Sequence, residues 1–455
     1  MKPYPAYKTS GVPWLGEVPR HWDVLRLKEV SKVTPSNVDK LTVEGQNPVR
    51  LCNYVDVYKN ERITSGIEFM RATATSEQVE RLALKVGDVV VTKDSESPWD
   101  IAVPTVVADA IETLVCGYHL AKLEPTDIEG RFLAWALRAY QVNLHFALSA
   151  GGITRYGLSS SSLADGNLPR PPNDEQQSIA DYLDAETARI DELLREKGGL
   201  IGLLREHRQG VASDAVVRGL RRDCSVKVVE GGFGSIPTHW RLVPLKRFVR
   251  VSGGHTPATD NPAYWDGAMP WVSPKDMKRE ELSDSIDHVT NAAVDDCGLT
   301  VVAPGATLVV VRGMILAHSF PVARNLVPVT INQDMKAIRP ERDVLPEYLP
   351  WLLRGVTPVV LSLTEQSAHG TLALRTDKVF GEALPIPPAS EQAEIVAFLQ
   401  TELPKIDDLI AHTKDEILLL KELRAATIAE AVLGRIDLRT ASAAGKPAES
   451  NNPSV

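Results

Sequence analysis

From residue 179 onward one stripe steps by three or four positions, through Ile179, Leu183, Glu186, Ile190, Leu193, Lys197, Leu200, Leu204, His207 and Val211, mostly apolar, with charged residues between them. A second run keeps the same rhythm at Ile395, Leu399, Ile406, Leu409, Leu420 and Ile428. Alternating steps of three and four hold one stripe of a helix apolar, so both runs predict long helices of coiled-coil type. Each run follows prolines, Pro169, Pro171 and Pro172 in one case and Pro385, Pro387 and Pro388 in the other, which end the preceding element by removing a donor. Asn173 or Asp174, and Ser390, are the expected N-caps, with Glu175, Glu391 and Glu394 at the positive end of the helix dipole. Gly198, Gly199 and Gly202 weaken the first helix by about 1 kcal/mol each against Ala, and Pro404 predicts a kink or tightened turns in the second. A helix of about 40 residues is ~60 Å long and outruns a domain of ordinary size. The two stripes are therefore expected to bury each other as an antiparallel coiled coil within the chain.

Elsewhere the texture is mixed. Short β-branched runs at 89–92 and 308–311, punctuated by Gly and Pro, predict α+β domains. These domains are repeated. "GEVPRHWDVLRLKEV" at 16–30 recurs as "GSIPTHWRLVPLKRFV" at 234–249, with His21 and Trp22 answered by His239 and Trp240 218 positions later. "LPRPPNDEQQSIADYLD" from Leu168 recurs as "LPIPPASEQAEIVAFLQ" from Leu384, 216 positions later. Between these anchors the halves diverge, although "KVGDVVV" answers "APGATLVVV" and Asp56 answers Asp276. The chain reads as a tandem duplication: a first domain over 1–168, a long helix over 169–220, a second domain over 221–384, a second long helix over 385–440, and a disordered tail over 441–455. Similar ends with dissimilar middles mean one scaffold carrying two different surfaces.

Chemistry is sparse. The 455 residues carry a net charge of −9, which argues mildly against a protein that grips nucleic acid unaided. No apolar run approaches the roughly 18 residues of a membrane span, so a cytoplasmic protein is expected. Cys52, Cys116, Cys224 and Cys297 have neither disulfide-framework nor zinc spacing, and the histidines are not paired as metal ligands. "DNPAYW" at 260–265 comes near the turn with which amino-methyltransferases hold a base, but Ala263 breaks it and no glycine-rich cofactor turn accompanies it, so a structural turn is expected. "GGFGS" at 231–235 reads as a linker, and no phosphate-binding G-x-x-x-x-G-K-[ST] occurs. His21 and His239, beside Trp22 and Trp240, are expected to pack and hydrogen-bond at each domain's entrance. The sequence is that of a binder.

The paired openings, the paired "LPRPP" and "LPIPP" stretches before the helices, and "TPATDNPAYWDGAMPWVSPKDM" in the second half together resemble the DNA specificity subunit of type I restriction-modification systems, over about residues 8 to 440. The resemblance implies two target recognition domains, each reading one half of a split, asymmetric site in double-stranded DNA. It implies that the helices space them and dock two methyltransferase subunits, with restriction subunits joined through these. It also implies no cofactor in this chain, because S-adenosylmethionine and ATP with Mg belong to the partner subunits. Ile179, Leu183, Ile190, Leu193, Leu204, Ile395, Leu399, Ile406, Leu409 and Leu420 are the expected partner-binding positions of the helices. Candidate DNA contacts are residues of loops where polar and basic side chains gather near glycine or aromatics. These are Lys93 and Ser95 after "GDVVV", Thr154, Arg155 and Tyr156 in "GGITRYGLS", Lys275 after "WVSP", Arg312 after "LVVV", and His369, Thr371 and Arg375 in "SAHGTLALRT". A different class, a duplicated coiled-coil scaffold that binds proteins, fits the same repeat.

Overall fold

The computed structural model describes residues 2–221, 223–230, 232–366 and 371–439. The tail at 441–455, His369 and Gly231 lie outside them. The described residues form two compact units, 2–197 with 415–439, and those within 198–414. This division passes through both long helices rather than at their beginnings, because each helix contributes one part to each unit.

In the first unit a five-stranded sheet is built from β1 (Ser31–Pro35), β2 (Arg62–Ile63), β3 (Val89–Thr92), β4 (Pro104–Val107) and β5 (Leu120–Pro125), in the order β1-β5-β3-β4-β2. The second unit repeats this with β6 (Val249–Gly253), β7 (Glu281–Leu282), β8 (Thr307–Val310), β9 (Val322–Asn325) and β10 (Met335–Pro340), in the order β6-β10-β8-β9-β7. In both, the last pair alone is parallel. The central strands β3 and β8 are buried along their whole length, which explains their continuous rather than alternating apolar runs. A three-stranded sheet also recurs. Asn47–Cys52 runs parallel to Leu114–Cys116 and antiparallel to Met70–Ala74; Trp265–Val272 runs parallel to Thr330–Ile331 and antiparallel to Asp287–Val289. Asp56 and Asp276 close matching turns, each accepting at 2.8 Å from the backbone N–H three residues before it. The middles that differ in sequence therefore share one topology.

The repeated words hold each body to its helices. The helices are α1 (Asn173–Arg218) and α2 (Ala389–Val432). Trp22 is fully buried, and its Nε1–H donates to Glu175 at 2.9 Å, beside His21 Nε2 at 2.7 Å and the Tyr4 hydroxyl at 2.8 Å. In the second unit Trp240 and His239 meet Glu391 at 3.0 and 2.6 Å. The next residue fastens the loop before each helix. Gln176 accepts from Glu129 N–H and donates to Pro171 C=O, and Gln392 does the same with Leu345 and Pro387. Both helices begin earlier than the expected N-caps, since Pro172 and Pro388 already accept the first intrahelical bonds, from Gln176 and Gln392. Their C-terminal ends match too. Gly219 and Gly434 have φ of +72° and +66° and press on Trp240 and Trp22; a Cβ on Gly434 would lie 2.8 Å from the indole. In the first unit the described chain ends converge here, with Tyr7 O–H donating to Gly434 C=O and Asp437 N–H to Lys2 C=O.

Within each unit the two helices run antiparallel. In the first, Asp191 meets Arg424 and Lys197 meets Glu416; in the second, Arg208 meets Asp407, and Arg221, just past α1, meets Glu394. The same arginines reach into the bodies. Arg424 binds Glu61, which also faces Arg138 on Trp135, and Arg208 binds Glu280, which also faces Arg354 on Trp351. Burial pulls the pKa of Arg138 and Arg354 down, so each needs the neighbouring carboxylate. Helix α2 continues through Pro404, and α1 through Gly198, Gly199 and Gly202.

Candidate nucleic-acid interface

The loop candidates of the first half meet in space. Beyond β3 the strand Asp94–Ser95 pairs antiparallel with Tyr156–Gly157, Ser95 opposite Tyr156 and Asp94 opposite Gly157. Leu158 N–H donates to Lys93 C=O, and Lys93 N–H to His119 C=O, both at 2.8 Å. Lys93, Ser95, Thr154, Arg155 and Tyr156 are thereby collected at one end of the sheet from two segments some sixty residues apart. The tight turn between them requires Gly152, whose φ is +140° and where a Cβ would fall 1.9 Å from Arg155 O. Ile153 at its tip is 92% exposed.

Beside these loops lies a cleft of about 570 Å³. Thr154 and Arg155 line one side; Lys40, Tyr54 and Tyr58 line another, with Asp94, Ser95, Glu96, Asp100 and His119 between. The two tyrosine rings stack at 5.6 Å and 15° because their spacing of four places them on one face of the short helix Tyr54–Lys59. Tyr58 donates to Asp100 at 2.7 Å, a bond that pushes its phenol pKa up; burial does the same for Tyr54. His119 Nδ1 makes a short contact with Asp94 Oδ2, and His119 itself has left-handed backbone, φ +69°.

The second unit brings the corresponding loops together by the same bonds. Gly313 N–H donates to Leu372 C=O, Leu374 N–H to Val311 C=O, and Val311 N–H to Asp334 C=O, with Arg312 bridged to Ala373. Arg312, Thr371 and Arg375 thus adjoin one another. Lys275 stands in the turn that contains Asp276, the counterpart of the Asp56 turn, and is paired with Asp287.

Charge separates the candidates. Arg375 is held between Asp377 and Glu365, which raise its pKa further, and Arg312 faces Asp334 at 3.8 Å. Among the described residues neither Lys93 nor Arg155 has an ion-pair partner. Two cations not anticipated from the sequence behave likewise. Arg50 and Arg71 sit directly opposite each other on antiparallel strands, exposed and without a carboxylate partner, an arrangement that costs energy until an anion neutralises it. Strand register put them together, and no local pattern announces register. Tyr54 and Tyr58 were missed too, although their spacing in "NYVDVYKN" was the available signal.

The helix positions divide differently from expectation. Ile179, Leu183, Ile190, Ile395, Leu399 and Ile406 are buried inside the chain; Leu193, Leu204 and Leu420 are half-buried, and Leu409 is exposed. The exposed apolar side chains of the helices are instead Leu200, Leu203, Leu409, Leu418, Leu419 and Leu423. "DNPAYW" forms a 3-10 turn in which Asn261 Oδ1 accepts from Ala263 N–H. Among the described residues no His, Cys, Asp and Glu cluster could hold a metal, and no helix is long and apolar enough to cross a membrane.

Comparison with known proteins gives a consistent picture. Residues 19–197 and 237–419 match the family described as the type I restriction modification DNA specificity domain. The specificity subunit of the Escherichia coli type I restriction enzyme EcoR124I/EcoR124II is 32% identical over 148 residues, 32% of this chain and 37% of that protein. The MjaIX specificity subunit of Methanocaldococcus jannaschii is 31% identical over 198 residues, 43% of this chain and 44% of that one. The matches thus span less than half the length of these relatives. A chain from a structure of type I R-M complex assembly and conformational transition superposes with a TM-score of 0.70 at 17% identity, covering 92% of this chain and 99% of that one. The HsdS subunit of Thermoanaerobacter tengcongensis gives 0.52 at 18% identity, covering 92% and 98%.

Proposed function

This chain belongs to the type I restriction-modification DNA specificity family, and on that premise we propose that it is the non-catalytic subunit that reads a split target in double-stranded DNA. Each α+β body reads one half of the site. The observation that carries this reading is the pair of convergent loops: the same sheet and the same backbone bonds present them in both units, while the side chains they carry differ. A repeated frame with changed side chains is what an asymmetric, bipartite site asks of its reader.

Lys93, Arg155, Arg50 and Arg71 supply cations free to meet phosphate, which answers the objection raised by the acidic net charge. Much of the acid lies on the helices, at Asp181, Asp184, Glu186, Glu402 and Asp408 among others. The helices space the two bodies and dock two methyltransferase subunits, through which restriction subunits join. Exposed Leu409, Leu418, Leu419 and Leu423 supply apolar contact on α2. Methylation with S-adenosylmethionine and ATP-driven, Mg-dependent cleavage belong to those partners, and the complex acts on DNA in the cytoplasm.

The test is an exchange. The chain is expressed with its modification subunits and methylated sites are mapped by single-molecule sequencing, before and after residues 16–168 or 234–384 are replaced by those of another family member. A split motif in which only the corresponding half changes is expected. A protein scaffold would leave methylation unaltered by either exchange.

A further inference from the structure

At the convergent loops the two units differ in one paired position. Asp94 and Arg312 occupy the same place: each follows the residue whose N–H donates to the start of the neighbouring strand, Lys93 to His119 C=O and Val311 to Asp334 C=O, and each is paired across the loops, with Gly157 and Ala373. Their side-chain partners are those same neighbours, Asp94 with His119 and Arg312 with Asp334. Acid and base have changed places. In the first unit the acid stands on the loop after β3 and the base precedes β5; in the second the base stands after β8 and the acid precedes β10.

A structural ion pair in a duplicated frame gives no reason for such reversal. Several pairs that hold the frame keep their chemistry in both copies, as Glu175 and Glu391, Gln176 and Gln392, and Glu61 and Glu280 do; where a buried pair is not kept, as Lys122 with Asp88, both members give way to alanine, Ala337 and Ala306, rather than changing places. The reversed pair is also open to the outside. The Arg312 side chain is 61% exposed. Asp94 lines the cleft beside the stacked tyrosines; its Oδ2 is engaged by His119, while its Oδ1 lies where a Cβ at position 157 would come within 3.1 Å, so Gly157 leaves that oxygen uncovered.

We propose that this pair is the base-reading element of each body, an inference that rests on the DNA-reading function above. In the second body Arg312, steadied by Asp334, donates to guanine N7 and O6. In the first, Asp94, steadied by His119, accepts in the major groove from the exocyclic amine of cytosine or adenine, since a carboxylate has no other complement on a major-groove base edge and is repelled by phosphate. The member on the loop after β3 or β8 touches the base; Asp334 and His119 are positioning residues.

The full chain assembled with its modification subunits is given genomic DNA, and methylated sites are read by single-molecule sequencing. Arg312→Ala is expected to relax a single guanine in the second half-site, and Asp94→Ala a single C or A in the first, each by ~5- to ~150-fold in preference, with every other position unchanged. Asp334→Asn should weaken the guanine preference without abolishing it. Asp94→Arg combined with His119→Asp should create a guanine preference in the first half-site. Arg312→Met and Asp94→Leu, close in size but without the reading donor or acceptor, keep the test readable if an alanine variant does not fold. An unchanged motif in these variants overturns the proposal, as does a uniform loss at all sequences with unchanged thermal melting, which would mark phosphate contacts. Absence of a split motif with the unmutated chain would instead overturn the DNA-reading function itself.

Discussion

The duplicated anchor permits a prediction with its control in the same molecule. Glu175→Ala removes the acceptor from Tyr4 and Trp22, both buried, and from His21, whose side chain is 39% exposed. A buried donor left without a partner costs about 1–3 kcal/mol, so two such donors cost about 4 kcal/mol; His21 can turn to water and adds little. Glu391→Ala leaves one buried donor, Trp240, because among the described residues no tyrosine donates to this carboxylate and His239 is 46% exposed. Its cost is therefore about 2 kcal/mol. The difference of about 2 kcal/mol corresponds to roughly 30-fold in the local opening equilibrium. Native-state hydrogen exchange read by mass spectrometry measures it, comparing peptides over 16–30 and 173–183 with those over 234–249 and 389–399. The expected result is a larger loss of protection in the first unit, more than half restored by Glu175→Gln, which keeps an acceptor. Equal losses in the two units, or a greater one in the second, would refute the reasoning that unsatisfied buried donors set the stability of these junctions.

Four further outcomes are expected. One heptad inserted into each long helix, at 198–202 in α1 and at the facing turn of α2, preserves the apolar seam and adds ~10.5 Å, so the unread spacer should lengthen by about three base pairs while both half-sites stay the same; mapping of methylated sites checks it. Gly152→Ala should abolish reading of the first half-site alone, since its Cβ would fall on Arg155 O. Arg155→Ala and Lys93→Ala should each lower the slope of log affinity against log salt by about 1, whereas Arg375→Ala, already neutralised by Asp377 and Glu365, should leave it nearly unchanged. Burial pushes the Cys116 thiol up to about 12 and Cys52 well above its ordinary value, so at pH 8 both remain protonated; iodoacetamide followed by peptide mapping should label half-exposed Cys224 and Cys297 first.

Parts of the fold were legible because they obey local rules. The heptad stripes announced α1 and α2, and the repeated His-Trp words announced two equivalent bodies. Glu175 and Glu391 were visible only as helix-dipole partners, since nothing in the sequence says that an indole some 150 residues away will donate to them. The candidate DNA loops were chosen for composition; that Lys93 and Arg155 keep free charges while Lys275, Arg312 and Arg375 face carboxylates could not be read, because ion pairing depends on neighbours distant in sequence.

By itself, then, the sequence determined the duplication, the helical period and the places where one scaffold ends and divergent text begins, all properties of spacing along one dimension. Only the tertiary structure decided which face of each helix was already taken, which arginines remained available, and that Asp94 and Arg312 stand at one and the same position with opposite charge. Those depend on strand register and cross-chain packing, where residues tens to hundreds of positions apart become neighbours and a single-residue shift would change every pairing.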